Sequence, residues 1–86
     1  MRNAKTTPYV RWVDCGLHKG YGESETHNWA LVVGRGKKSR KVANVWGNGV
    51  WFTWDRNGVG GENNSEPTVA QAKVEAAASA IAQGFI

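Results

Sequence analysis

The chain has 86 residues, of which 41% are hydrophobic and 21% charged, with a formal net charge of +4 and a pI near 9.6. That length predicts one domain over 1–86, and the apolar share excludes a disordered chain. The lone Cys15 excludes an internal disulfide, and no apolar run reaches bilayer-spanning length.

The opening "MRNAKTTPYV" is polar and has no apolar stretch of the signal-peptide kind, so a cytoplasmic site is expected. "YVRWVD", Tyr9 to Asp14, alternates weakly and is the first predicted strand. The polar "CGLHKGYGESETH" then predicts a long loop. Asp14, Cys15, His18 and His27 gather here. Cys15-x2-His18 is a tolerable metal-ligand spacing, but a structural zinc site wants four N/S ligands and there is no second cysteine. A Cys–His nucleophile pair is the other chemistry open to them. The plainer reading is a small buried Cys15 at a strand end and two solvated histidines, so neither metal nor cofactor is expected.

"NWALVVG", Asn28 to Gly34, is rich in β-formers and predicts the second strand. It runs into "GRGKKSRK", where Arg35, Lys37, Lys38, Arg40 and Lys41 crowd together. The segment fails the phosphate-loop pattern, because Leu31 stands where its first glycine belongs and Lys38 where Ser or Thr should follow Lys37. "RKVANVW" (Arg40 to Trp46) and "GVWFTWD" (Gly49 to Asp55) predict two strands around "GNG", a hairpin signal. A two-residue turn at Asn48-Gly49 puts Trp46 opposite Trp51 and Val45 opposite Phe52. Ala43, Val45, Phe52 and Trp54 then share one face, and Asn44, Trp46, Trp51 and Thr53 the other. A three-residue loop would mix these sets.

"RNGVGGENNSE" predicts a second long loop, and its "GVGGEN" lacks the last glycine of a dinucleotide fingerprint. Neither Glu23 with Glu25 nor Asp55 with Glu62 is joined to an apolar pocket, so no enzyme is expected. "EPTVAQAKVEAAASAIAQGFI" predicts the one helix. Thr68 and Gln71 have capping-box spacing, the interior is alanine-rich, and Gly84 suits the C-terminal end. Ala70, Val74, Ala77 and Ile81 form the expected apolar stripe, with Gln71, Glu75, Ser79 and Gln83 on the polar side.

These elements predict an α+β fold: a three- to four-stranded antiparallel meander with one C-terminal helix packed on one face. A single helix leaves the other sheet face open. The expected binding set is Arg35, Lys37, Lys38, Arg40 and Lys41 at a basic tip, with Trp46 and Trp51 on the open face. Cations of this kind neutralise phosphates or acidic protein patches, and the tryptophans stack on bases or anchor in a partner's pocket.

"VWGNGVWFTWDRNGVGG…PTVAQAKVEAAASAIA" resembles a pattern common in small proteins of phages and other mobile elements, over roughly half the chain from Val45 onward. There a tryptophan-bearing strand and a Gly-rich turn precede a Thr-capped, Ala-rich helix. The resemblance implies an accessory protein of the anti-defence type, anti-CRISPR proteins among them, that blocks a host protein or ribonucleoprotein complex by occupying its surface. Many such inhibitors are acidic mimics of nucleic acid; this chain is basic. The alternative is a small basic protein that binds DNA or RNA directly with its hairpin and sheet face.

Overall fold

The computed structural model describes residues 9–19 and 25–86. Five strands, β1 (Val10–Lys19), β2 (Glu25–Val33), β3 (Arg40–Trp46), β4 (Val50–Trp54) and β5 (Gly60–Ser65), form one antiparallel sheet in chain order. The helix α1 (Val69–Ala82) follows and packs across β3, β4 and β5. The α+β meander with one C-terminal helix is therefore present, with five strands rather than three or four.

The extra strand comes from residues that read as a loop. β5 is "GGENNS", with no apolar alternation and every residue exposed. Hydrogen bonds hold it instead. Thr53 Oγ1 accepts from the Glu62 N–H at 2.9 Å, and Ser79 Oγ donates to the Glu62 carboxylate at 2.5 Å. Gln83 Nε2 donates to Ser79 Oγ at 2.8 Å, so Thr53, Glu62, Ser79 and Gln83 satisfy one another between sheet and helix, while Arg40 Nη1 is buried on the same side without a partner among the described residues. Likewise β1 and β2 reach into the predicted polar loop. A bulge at Cys15 and Gly16 lets β1 continue: Gly16 takes φ +77°, and its N–H donates to Asp14 Oδ1 at 2.8 Å. Glu23, one of the loop carboxylates weighed and set aside with Glu25, lies outside the described residues.

Thr68 caps the helix by accepting from the Gln71 N–H at 3.1 Å. Its far end closes with Gly84 N–H on Ile81 O and Phe85 N–H on Ala80 O, the two bonds of a Schellman motif. The buried stripe is Ala72, Ala76, Ser79 and Ala80, whereas Val74 and Ile81 are each 64% exposed. The expected stripe of Ala70, Val74, Ala77 and Ile81 is thus about two residues off, roughly 200° around the helix. Alanines let the helix backbone settle close to a sheet that supplies Leu31, Val42, Val45 and Trp51. Branched side chains at that contact would hold it away. Ser79, expected on the polar side, is buried and bonded.

Candidate binding face

The hairpin between β3 and β4 decides which aromatics face outward. Its loop holds three residues, Gly47, Asn48 and Gly49, since Val45 pairs with Trp51 and Asn44 with Phe52. Gly49 sits at φ +90°, and its N–H donates to Trp46 O at 2.8 Å. A Cβ there would lie 2.2 Å from Glu66 O, so only glycine fits where the chain entering α1 crosses the turn.

This register turns β4 over relative to the two-residue expectation. Ala43, Val45, Trp51 and Thr53 face the helix; Asn44, Trp46, Phe52 and Trp54 face away. Trp51 is 4% exposed, and its Nε1 donates to Glu66 Oε2 at 3.1 Å, so it belongs to the core and not to the open face. Phe52 and Trp54 stand in its place. With Trp46, Val50, Asn44, Asn48 and Thr26 they line a groove of about 490 Å³. Among the described residues no element packs over it. Asn44 Nδ2 donates to Asn28 Oδ1 at 2.7 Å and to Trp29 O at 3.1 Å, which fixes the amide in the groove.

Pairing places further residues on the same face. Arg11 lies opposite Val32, and Val32 opposite Lys41. Val13 lies opposite Ala30, and Ala30 opposite Asn44. The six described carboxylates all point elsewhere. Asp14 bonds His27, Asp55 accepts from the Asn57 and Val59 N–H groups, Glu62 meets Ser79, and Glu66 meets Trp51. Glu75 is on the helix, and Glu25 shares a strand side with His27 and Trp29. Among the described residues the open face carries cations and no acid.

The basic tip is the β2–β3 turn, with a short 3-10 turn at Gly36–Lys38. Arg35, Lys37, Lys38 and Lys41 are exposed. Arg35 lies 3.9 Å from the Tyr9 ring centroid and Arg11 lies 4.9 Å from it, so two guanidiniums are held at one aromatic. Arg40 parts from the others. It pairs with Val33 on the helix side and lines a hollow with Asp55, Gln83 and Phe85. Nor is the tip beside Trp46: they occupy opposite ends of β3, roughly 20 Å apart by strand rise. Trp54 ends β4 near the start of β3, so it is the open-face aromatic nearest the cations.

The Asp14, Cys15, His18 and His27 group is taken up by structure. His27 Nε2 meets Asp14 Oδ1 at 2.5 Å, and its ring stacks on Trp29 at 4.3 Å. The Gly16 N–H and then His27 hold the Asp14 carboxyl below the usual aspartate range. His18 bonds Cys15 O at 2.8 Å, and Cys15 is half-buried. Among the described residues no three His, Cys, Asp or Glu side chains converge as metal ligands. Lys73 of α1 leans over Trp29 and Trp12 at 4.9 and 5.7 Å, which closes the β1–β2 end of the covered face.

No family model, curated protein or solved structure matches the chain. Among the described residues no helix is long and apolar enough to cross a membrane.

Proposed function

We propose that the chain is a non-enzymatic accessory protein of the phage or mobile-element kind. It inhibits a host complex in the cytoplasm by laying its open sheet face on an anionic surface of that complex. One observation carries this reading: Trp46, Phe52 and Trp54 share a face with Arg11 and Lys41 and with no described carboxylate. Phe52 is exposed and Trp46 and Trp54 are half-buried; such aromatics beside cations have the composition of a binding hot spot, and the absence of acids selects an anionic partner. Lys37, Lys38 and Arg35 extend the positive potential beyond one end of the face. Arg40 and Trp51 leave the contact set, the first for the helix side and the second for the core.

The test is phage challenge of a host panel expressing the chain, with a Trp46→Ala/Phe52→Ala variant shown to be folded by circular dichroism. Wild type should restore infection in a defended host, and the variant should not. Equal rescue by both proteins would move the inhibitory surface off the open face. A wild type that alters infection in none of the hosts would overturn the inhibitor reading.

A further inference from the structure

Resting on the open face as the binding face, we infer that its ligand is single-stranded nucleic acid, with bases on the Trp46, Phe52 and Trp54 rings and phosphates toward the Arg11 and Lys41 end. The rings come first. A duplex hides the flat faces of its bases in the stack, whereas a single strand offers them, and aromatic side chains on a sheet are the surface such bases stack on. Phe52 and Trp54 stand two residues apart on one strand, roughly 6.6 Å, about twice the ~3.4 Å spacing of stacked bases. Both rings also line the groove of about 490 Å³ toward Trp46, whereas the adjoining hollow of about 310 Å³ toward Gly58 and Gly60 also takes in Thr53 and Glu62. A base has room on the Trp46 side of the pair, where no described acid lines the groove.

Hydrogen bonding agrees. Asn44 Nδ2 spends its protons on Asn28 Oδ1 and Trp29 O. That leaves Asn44 Oδ1 as an acceptor and Asn28 Nδ2 as a donor without partners among the described residues. An adjacent donor and acceptor match the edge of an unpaired base.

Charge chooses between partners. A protein interface carries its charges as a rim around an aromatic centre. Here Arg11 and Lys41 lie in one row at the Trp54 end, and Lys37 and Lys38 follow at the turn beyond. A strand crossing the face would stack its bases on the rings and carry its phosphates to the cations. Four cations, if all engaged, give a slope of log K against log salt near about −3 for a single strand.

The experiment is fluorescence anisotropy with a labelled ten-nucleotide oligo-dT, the matching oligo-U and a twenty-base-pair DNA duplex, at low and physiological salt. Poly-glutamate is added as an acidic-polypeptide probe. Single strands should bind at least tenfold more tightly than duplex. Phe52→Ala and Trp54→Ala should each weaken them roughly ten- to hundredfold. Lys37→Ala/Lys38→Ala should lessen the salt slope by about 1.4. Ile81→Ala, on the outer helix surface, is the control and should change nothing. Equal or tighter duplex binding overturns the inference, as does absence of oligonucleotide binding at low salt. If poly-glutamate binds instead and the ring variants abolish it, the face stands and only the ligand class is wrong. If oligonucleotides bind but the ring variants, folded by circular dichroism, leave affinity unchanged, the open-face reading itself falls.

Discussion

The two faces of the sheet are built from the same strands and both carry tryptophan, yet they reach opposite ends. On the covered face Trp51 is enclosed by the alanines of α1, its N–H is taken by Glu66, and Thr53, Ser79, Glu62 and Gln83 satisfy one another. On the open face, among the described residues, Trp46, Phe52 and Trp54 have no helix above them, and the amides of Asn28 and Asn44 keep polar atoms unspent. A core in a small domain uses the aromatics it can enclose, and an alanine helix encloses little beyond one tryptophan of this hairpin. The remaining rings are therefore not core in excess. They lie half-buried or exposed on a face that no described element covers.

The sharpest break of this comparison sets Trp51→Ala against Trp46→Ala. Losing Trp51 opens a cavity under the helix and leaves Glu66 without its donor, so urea unfolding should show a loss of about 3–5 kcal/mol. Losing Trp46 removes one cross-strand partner from an open surface and should cost under about 1 kcal/mol. Similar costs for the two would mean that the faces are not the inside and outside described above.

That pair also marks how far the sequence was legible. The helix, its Thr68 cap and Gly84 stop, the α+β meander and the open face are readable, because they rest on local signals. The assignment of Trp51 was not, because "GNG" supports either a two- or a three-residue loop, and one residue turns the whole of β4 over. The contact between Gly49 and Glu66 that favours the longer loop joins residues distant in sequence. Thr53 between two bulky neighbours was the available hint, since the three-residue register buries it beside Ser79. β5 was illegible for another reason: "GGENNS" has no strand pattern, and its pairing depends on Thr53 and α1. In the helix both stripes are apolar enough to serve, and close packing chose alanine over the larger Val74 and Ile81.

A second test acts on that choice. Ala76 is fully buried at the centre of the contact, so Ala76→Leu should push helix and sheet apart and cost about 1–3 kcal/mol. Ile81→Ala changes an exposed position and should stay within about 0.5 kcal/mol in the same urea titration. If Ile81→Ala proved the costlier of the two, the helix would be packed by the stripe that its sequence first suggests.

The smallest expected effect lies where the β1–β2 hairpin leaves the helix behind. Asp14 accepts from the Gly16 N–H and from His27, and both interactions hold its folded pKa below its unfolded value near about 3.9. A depressed carboxylate pKa stabilises the fold above the unfolded value, and that contribution is lost as pH falls through the folded one. Wild type should therefore lose stability more steeply than Asp14→Asn on acidification below about pH 4. Above that range the two curves should run parallel with respect to this group. Asp14 is exposed to solvent, so salt should shrink the difference. Thermal unfolding between pH 2.5 and pH 6 at two salt concentrations measures both slopes (about that span brackets the unfolded value). Identical acid limbs for wild type and Asp14→Asn would show that the bulge is held by its backbone and glycine alone, with the carboxylate a bystander.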